Sequence, residues 1–520
     1  MLNALKAAEH LVEALDRGER LLVVADYDAD GATACTVVVR TLRAWGANVG
    51  YIVPNRAVHG YGLSPSIVEL AAALNPRPNM LITVDNGIAS HAGVQAANAA
   101  GMRVLVTDHH LPAADGQGLP DALCIVNPNQ PGDRFISRSL AGCGVAWYVC
   151  SLFDALLRER GSQPVQPGFT PEDLLPFVAL GTIADVVALD GNNRELVRRG
   201  LERIREGRCS VGLHELARLV QANLSQLACS DIAFGIAPKI NAAGRLDDMS
   251  VGIECLLSDD QARAEMLASQ LHELNQQRKD IERLAVEEAA LMAVDRVDPQ
   301  TRSVVLYDPQ WHEGVVGIVA GRIREKTGRP TFVCALSHDG SIKGSGRSIP
   351  GFHLRDALDL VAKRDASVLQ KFGGHAAAAG VTIAPGKFER FAELFEHVAR
   401  EQISEAMLQQ VLEVDGSLEP HEMSLDNAIA LKHGVWGQGF QEPLFLDDFV
   451  LRGYRRMGAD QKTLRLDLER AGRSFTAVQF RSELDQLQPG QRLSMAYSLE
   501  PNYWNDRVSL RLMARHVTLH

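Results

Sequence analysis

The sequence lacks any uncharged apolar run long enough to cross a bilayer, and its N-terminus has neither a basic start nor a cleavage-site pattern. We therefore expect no membrane-spanning segment, no export signal and a cytoplasmic location. The eight cysteines form no CxxC pair and are scattered through apolar stretches, which favours reduced core thiols over a disulfide scaffold. Repeat arrays and low-complexity tracts are lacking as well.

An excess of positive charge is also lacking. The formal net charge is −11 over 520 residues, which argues against indiscriminate binding of nucleic acid through bulk charge. A local basic groove remains compatible with this charge, because its distribution matters more than its sum. A chain of this length is expected to form about two to four domains.

The stretch from Leu21 to Thr33, LLVVADYDADGAT, joins an apolar run to three aspartates at alternate positions. An apolar run without polar alternation is typical of a strand that is buried on both faces of a parallel sheet. Alternate residues of an extended segment point the same way, so we expect Asp26, Asp28 and Asp30 to share one side where the strand ends. Such a row of charge is costly there unless a cation binds.

Two later segments repeat this pattern. MLITVDNG ends with Asp85 close to its C-terminus, and MRVLVTDHH ends in Asp108, His109 and His110. Strands that alternate with helices predict an α/β fold with a doubly wound, mainly parallel sheet. Ligands of such sheets bind outside the carboxyl ends of the strands. The sequence therefore predicts that several acids and imidazoles meet at one edge.

A single aspartate after a parallel strand is usually only the N-cap of the next helix. The number of acids at the predicted edge favours a metal site instead, and Asp185 in the apolar segment DLLPFVALGTIADVVAL adds to it. Carboxylates with one or two imidazoles and no thiolate favour Mn²⁺ or Mg²⁺ over structural zinc. Enough carboxylates are present to bridge a pair of ions, the arrangement that stabilises in-line displacement at phosphorus.

Four motifs, DYDADGATA, TVDNG, TDHH and ALGTIADVV, match in order and spacing those of the DHH phosphoesterase family, so the chain resembles that family. VPNR, HGYGLS, NAAGRLDDMS, WHEGVVGIVAGR, KGSGRS and KFGGHAAAAG resemble more narrowly its RecJ branch of single-strand-specific exonucleases. The resemblance covers nearly the whole chain. It implies a DHH catalytic domain over 1–260, a long connecting helix over 261–294, a smaller α/β DHH-associated domain with a GGH motif over 295–400, and an OB-like, nucleic-acid-binding β-barrel over 401–520.

The resemblance also implies roles for the acids and imidazoles. Asp85 would lie between two ions, Asp26 would belong to the same catalytic cluster, and His110 would sit beside the scissile phosphate as proton donor or transition-state stabiliser. Val24 stands where phosphatase relatives have a metal-binding histidine, which leaves the occupancy of one metal site open. The full set of implied metal ligands is Asp28, Asp30, Asp85, His109 and Asp185.

Further residues would bind DNA. The resemblance implies that Arg56 and Arg245, both in predicted loops, bind DNA phosphates. An exposed loop arginine is, however, often only solvated. Arg245 belongs to FGIAPKINAAGRLDD, which we interpret as a glycine-bearing basic loop. Tyr61 would stack on a base or anchor its own loop. The loops SIKGSGRS and KFGGH predict either tight turns or phosphate cradles, and the resemblance favours the second for Ser345, Arg347, Gly373, Gly374 and His375.

The expected function is that of a single-stranded-DNA-specific exonuclease. It would act 5′ to 3′, release mononucleotides by two-metal phosphodiester hydrolysis with Mn²⁺ or Mg²⁺, and serve DNA recombination and repair. The resemblance implies a monomer whose partners are a single-strand binding protein and a RecQ-type helicase. Two alternatives stay open: a DHH hydrolase of short oligoribonucleotides or cyclic dinucleotides, and a non-catalytic single-strand-binding relative.

Overall fold

The structure is a computed structural model that describes the whole chain except residues 55–61, 114–115, 222, 295, 338–339, 410, 459–460, 483 and 505–506 and the side chain of residue 504. The chain divides into two compact units. The first comprises Met1–Gly244, Asp248–His272 and Glu413–His520, and the second comprises Arg245–Asp247 and Glu273–Leu412. None of the described helices has the length and apolar character needed to traverse a bilayer.

A five-stranded sheet organises the N-terminal part of the first unit. Its strands are β1 (Arg20–Ala25), β2 (Asn48–Ile52), β3 (Met80–Val84), β4 (Arg103–Thr107) and β5 (Cys124–Val126). All pairs are parallel, in the order β2-β1-β3-β4-β5. The strands follow the apolar runs of the sequence, because a sheet covered on both faces buries nearly every side chain. The order reverses between β1 and β3, which makes their carboxyl ends the expected ligand-binding edge.

Helices cover both faces of this sheet. Leu22, Leu81 and Val104 on one face pack against α3 (Pro65–Ala73) and α4 (His91–Ala99). The other face meets α1 (Ala4–Asp16), α2 (Ala29–Ala44) and α5 (Gly142–Glu159). The prediction of a doubly wound parallel sheet is therefore confirmed. The remaining helices of this part are α6 (Leu175–Ala184), α7 (Gly191–Arg205), α8 (Val211–Leu219), α9 (Ala237–Leu246) and α10 (Ser250–Leu257).

The segment FGIAPKINAAGRLDD is helical, so its interpretation as a basic loop was wrong. It forms a π-helical turn, Ile232–Ile236, that runs directly into α9. Pro238 explains the π turn, since an α-helix would require a bond from its missing N–H to the carbonyl of Phe234. Instead the N–H of Ala237 donates to the carbonyl of Ile232, five residues back. Arg245 accordingly lies in the last turn of a helix.

The second unit is a smaller α/β domain. Its strands are β6 (Val304–Tyr307), β7 (Thr331–Leu336), β8 (Ile342–Arg347), β9 (Leu369–Gly374) and β10 (Ala378–Ile383), in the order β6-β7-β8-β10-β9. Phe332 packs edge-on against Phe391 and Phe395 in its core. Its helices are α12 (Val316–Thr327), α13 (Leu354–Arg364) and α14 (Phe388–Gln402), and α11 (Gln261–Val294) is the long helix that precedes them.

The C-terminal residues form a closed five-stranded barrel, as predicted. Its strands are β11 (Phe445–Met457), β12 (Thr463–Arg470), β13 (Arg473–Gln479), β14 (Arg492–Trp504) and β15 (Arg507–Leu519), preceded by α15 (Leu425–Lys432). Its leucine-rich core includes Leu451, Leu466 and Leu493. The barrel belongs to the first unit, where the backbone N–H of Leu189 donates to the carbonyl of Gln438 at 2.7 Å.

Candidate functional site

Acidic side chains gather at the carboxyl edge of the sheet, on either side of its switch point. Asp26 follows β1, Asp85 follows β3, and Asp185 caps the end of α6. Asp26 is only 4% exposed and Asp85 only 1%. The fold therefore buries carboxylates at the edge where ligands of parallel sheets bind.

Two further acids reach this edge through helix ends. Asp28 is the N-cap of α2, and its Oδ1 accepts a hydrogen bond from the N–H of Gly31 at 2.9 Å. Asp30 lies in the first turn of α2, where the N–H groups of Gly142 and Cys143 donate to its two oxygens at 2.6 and 3.0 Å. The prediction that the three acids share one side is confirmed for Asp26 and Asp28, whose potential ligand atoms lie within 4.8 Å of each other. It was wrong that Asp30 continues an extended segment, because the cap at Asp28 turns the chain into a helix.

Asp85 occupies a constrained position. Its φ of 63° lies in the left-handed region, which is uncommon for a residue other than glycine. Its N–H donates to the carbonyl of Thr107 at 3.0 Å, which extends the pairing of β3 with β4 by one bond. A Cβ at Gly142 would lie 2.5 Å from Asp85 Oδ1, so the absence of a side chain at Gly142 lets α5 approach the carboxylate.

The two histidines after β4 point to different partners. His109 Nε2 lies 3.1 Å from Asp85 Oδ1 and 3.5 Å from Asp185 Oδ2. His110 instead places Nδ1 at 2.8 Å from Oδ1 of Asp108. The pKa of His110 is raised to about 9, because the hydrogen bond and the charge of Asp108 outweigh burial, which alone would lower it. His110 is therefore protonated at neutral pH in the metal-free protein.

Three overlapping groups of side chains have potential ligand atoms within 4.8 Å of one another. Each group contains at least one carboxylate, and Asp85 and His109 each belong to two groups. The groups are Asp26, Asp28 and Asp85; Asp30, His109 and Asp185; and Asp85, His109 and His110. The structure therefore brings together all the acids and imidazoles that were predicted as catalytic or metal-binding residues.

Electrostatic repulsion within this cluster is strong. Burial, and then repulsion between neighbouring carboxylates, raises the pKa of Asp26, Asp28 and Asp85. The same causes raise the pKa of Asp185 to about 9. Burial and the charge of His110 lower the pKa of His109. Without a cation, the folded protein thus favours the neutral, protonated forms of Asp26, Asp28, Asp85 and Asp185, which would act as ligands only when deprotonated. The neutral form that is favoured for His109 is the form in which an imidazole binds a metal.

Comparison with known proteins agrees with this arrangement. Residues 20–182 match the DHH family, N-terminal domain, residues 300–401 match the DHHA1 domain, and residues 414–516 match the RecJ OB domain. The single-stranded-DNA-specific exonuclease RecJ of Salmonella typhimurium is 42% identical over 518 residues, which cover 98% of this chain and 89% of that protein. The chain belongs to the RecJ family.

Solved RecJ structures have the same fold. The crystal structure of RecJ from Thermus thermophilus in complex with Mn²⁺ superimposes with a TM-score of 0.80 at 32% identity, covering 100% of this chain and 72% of that chain. The Mg²⁺ complex of RecJ from that organism gives a TM-score of 0.74 at 29% identity, covering 99% and 70%. The resemblance inferred from the motifs is thereby confirmed.

The residues at the sheet edge fit a divalent cation of the kind bound in those RecJ crystals. Among the described residues, no donor reaches the buried Oδ1 of Asp26. A cation would favour the charged form of each carboxylate whose pKa is raised, and would thus offset the penalty of burying it. The donor set is mainly carboxylate oxygen with imidazole nitrogen, which suits Mn²⁺ and Mg²⁺.

The segments SIKGSGRS and KFGGH, which were interpreted as loops, lie mostly in strands, since Ser345 and Arg347 belong to β8 and Gly373 and Gly374 end β9. Ser345 of β8 pairs with Gly380 of β10, and Gly380 pairs on its other side with Gly373 of β9. Gly374 has a φ of 141°, and the N–H of His375 donates to the carbonyl of Ala378, so a tight turn joins β9 to β10. The structure thus brings Ser345, Arg347, Gly373, Gly374 and His375 together.

The other predicted DNA-binding residues have different outcomes. Arg56 and Tyr61 lie outside the described residues. Arg245 donates from Nη1 to the carbonyl of Gly314 at 3.0 Å, within the second unit.

Sequence reasoning missed the roles of several supporting residues at the edge. Asp108 was grouped with the other acids, yet it holds His110. Asn241 accepts a hydrogen bond on Oδ1 from the N–H of Ala29 at 2.8 Å and so ties α9 to the start of α2. The TDHH motif contained the signal for Asp108, since an acid two residues before a histidine can reach its ring. The sequence contained no comparable signal for Asn241 or for Gly142.

Proposed function

We propose that this chain is a single-stranded-DNA-specific exonuclease that acts 5′ to 3′ and releases mononucleotides. The observation that supports it best is the cluster of buried carboxylates with raised pKa values, placed beside a protonated His110 in a member of the RecJ family. Buried acids that repel one another are costly to a protein that does not use them to hold a cation.

In this proposal two divalent ions are held by the carboxylates and by His109. When bound, such ions stabilise charge on a phosphoryl group and generate a nucleophile from water. The residues proposed as ligands are Asp28, Asp30, Asp85, His109 and Asp185, and Asp26 belongs to the same cluster.

His110 provides the proton in this proposal. Asp108 lies at hydrogen-bond distance from Nδ1, and in this proposal Nε2 faces the phosphate. The hydrogen bond and the charge of Asp108 raise the pKa of His110 and so favour the charged ring, which can stabilise negative charge on a phosphate oxygen or donate a proton to the leaving oxygen.

The second unit would bind the backbone of the substrate. Arg347 supplies a guanidinium group, and the glycines of the GGH turn let backbone N–H groups approach an anion. The barrel would bind the single strand as other OB folds do. A role in recombination and repair, a monomeric state, a cytoplasmic location and partnership with a single-strand binding protein and a RecQ-type helicase complete the proposal by resemblance to the family.

A digestion time course tests it. The full chain is incubated with Mn²⁺ or Mg²⁺ and with single-stranded DNA blocked at its 5′ or 3′ end, the matching duplex, or a short oligoribonucleotide, and Asp85→Ala serves as the inactive control. We expect only strands with a free 5′ end to shorten, with mononucleotides as product. Preference for the oligoribonucleotide would assign the chain to small-substrate hydrolysis, and full activity of Asp85→Ala would refute the metal-site assignment.

A further inference from the structure

The side chain of Phe234 is exposed on the surface of the first unit, in the π turn that precedes α9. Of the aromatic side chains that the structure describes, that of Phe234 is the most exposed, at 84%. Burial of a phenylalanine side chain stabilises a fold, and this stabilisation is absent here. Its neighbours Ile232 and Ile236 are fully buried, so the π turn itself is anchored while the ring of Phe234 points to solvent.

The local sequence explains why the ring of Phe234 is exposed. Pro238 prevents the regular α-helical bond to the carbonyl of Phe234, and the chain widens into the π turn. π turns of this kind occur frequently at functional sites. The turn packs against α6, the helix that ends at Asp185, and against α8. Phe234 is therefore held on a fixed element beside a helix that supplies one of the proposed metal ligands.

An exposed stripe connects Phe234 with the metal cluster. Between residues 236 and 243 only Pro238 and Asn241 are partly exposed to solvent. Their helical spacing places them on the same face as Phe234, and we call Phe234, Pro238 and Asn241 the stripe. Asn241 accepts the hydrogen bond from the N–H of Ala29, the residue next to Asp28. Asn241 lies seven helical steps after Phe234, which corresponds to a rise of about 10 Å. This length corresponds to about three stacked nucleotides at about 3.4 Å each.

The chemistry around the ring suits a nucleobase. Residues 232–246 contain no aspartate or glutamate, so the stripe itself has no negatively charged side chain, although Asp231 and Asp247 flank this segment. Among the described residues, the exposed large apolar side chains nearest to Phe234 along the chain are those of Val186 and Met266, and neither belongs to the stripe. A protein interface would require a contiguous apolar patch, whereas a single flat ring is sufficient for one base.

We propose that Phe234 is a stacking platform for one base of the single strand, a few nucleotides from the phosphate that is cleaved. This inference rests on the proposed exonuclease function and specifies where that function recognises unpaired bases. Stacking on an aromatic ring accepts any base, which matches an enzyme that degrades a strand without regard to sequence.

The test uses the full chain with Mn²⁺ and three variants. Phe234→Ala removes the ring, Phe234→Tyr keeps it, and Ile136→Ala removes an equally exposed apolar side chain, 87% exposed, outside the stripe. We expect Phe234→Ala to raise KM for single-stranded DNA about tenfold with little change in kcat. Phe234→Tyr and Ile136→Ala should behave as the parent chain.

Substrates with one abasic nucleotide, placed in turn at each of the first few positions, locate the stacked base. The parent chain should show a raised KM at one position, and Phe234→Ala should show no further loss there. An unchanged KM for Phe234→Ala, or the same abasic penalty in both proteins, would overturn the inference.

Binding of a labelled oligonucleotide, followed by fluorescence anisotropy, separates this inference from the proposed function. If the parent chain binds but does not degrade the strand, and Phe234→Ala binds more weakly, only the exonuclease proposal fails. If the parent chain does not bind, or if Phe234→Ala binds equally well, the stacking inference fails.

Discussion

The Nδ1 atom of His110 lies 2.8 Å from Oδ1 of Asp108, inside the DHH motif itself. The same carboxylate accepts backbone N–H groups from His109, His110 and Ile88 at 2.7, 3.1 and 2.9 Å. Burial would raise the pKa of Asp108, but the bond with His110 and the positive charge of His110 lower it. The first residue of the motif therefore orients the third and stays charged.

Replacement of Asp108 by asparagine should weaken the effect of residue 108 on the protonation of His110. In Asp108→Asn we expect the pKa of His110 to fall toward its ordinary value near 6.5, because the charge that holds the ring proton is lost. Between about pH 7 and 9 the ring would then become neutral, and kcat should fall about 10- to 100-fold. NMR titration of the histidine rings in the metal-free protein checks the pKa, and a pH profile checks kcat. Asp121→Asn, at an exposed position, is the matched control.

The metal-free protein should lose stability as pH rises. The pKa of Asp185 is raised from 3.8 to about 9 in the folded state, so its contribution to stability is complete below about 4 and is lost as pH rises through 9. Asp185→Asn cannot titrate and should become progressively more stable than the parent chain over this window in EDTA, by at least about 1 kcal/mol. Thermal unfolding at several pH values measures the difference.

Mn²⁺ should reverse that order of stability, because the ion binds the charged carboxylate of Asp185 more tightly than the neutral amide of the variant. A stability difference that does not change with pH in EDTA, or equal stabilisation of both proteins by Mn²⁺, would contradict the assignment of Asp185 to the cluster.

Close packing at Gly142 gives a third prediction. In Gly142→Ala the new methyl group would meet Asp85 Oδ1 at 2.5 Å, so the carboxylate or α5 must move. We expect a loss of about 1–3 kcal/mol in the free energy of unfolding and a weaker affinity for Mn²⁺. Gly191→Ala is the matched control, since a Cβ at Gly191 meets no atom within 4 Å. Calorimetry of Mn²⁺ binding to both variants measures the effect, and equal affinities would show that the edge tolerates the methyl group.

The sheet, and the convergence of acids and imidazoles at its edge, could be predicted from sequence because both depend on local patterns. Apolar runs that end in aspartate specify buried strands and the edge at which their acids meet. The route by which Asp30 reaches that edge could not be predicted, since it depends on N–H groups of Gly142 and Cys143, more than a hundred residues away. The helix around Pro238 was missed for a different reason: glycine and proline lower helix propensity, and tertiary packing overrode that preference.

The last prediction concerns Arg347 in the second unit. Its Nη1 donates to Ser345 Oγ at 3.2 Å and to the carbonyl of Gly346 at 2.9 Å, which holds the guanidinium group at the end of β8. Arg347 pairs in register with Ala378 of β10, and the carbonyl of Ala378 accepts a hydrogen bond from the N–H of His375. The arginine and the GGH turn therefore lie at the same corner of the sheet. A phosphate bound at this corner would meet a fixed fork of donors, which favours arginine over lysine.

We therefore expect Arg347→Ala to raise KM for single-stranded DNA about tenfold. The slope of log affinity against log salt concentration should become shallower by about 1, the value for one lost phosphate contact. Arg347→Lys should restore the salt slope but only part of the affinity, because a point charge lacks the planar fork. Arg390→Ala, in which an exposed arginine paired with Asp365 and Glu393 is removed from the same unit, controls for the loss of one positive charge. If Arg390→Ala changed the salt slope as much as Arg347→Ala, general charge rather than a phosphate contact at this corner would explain the effect.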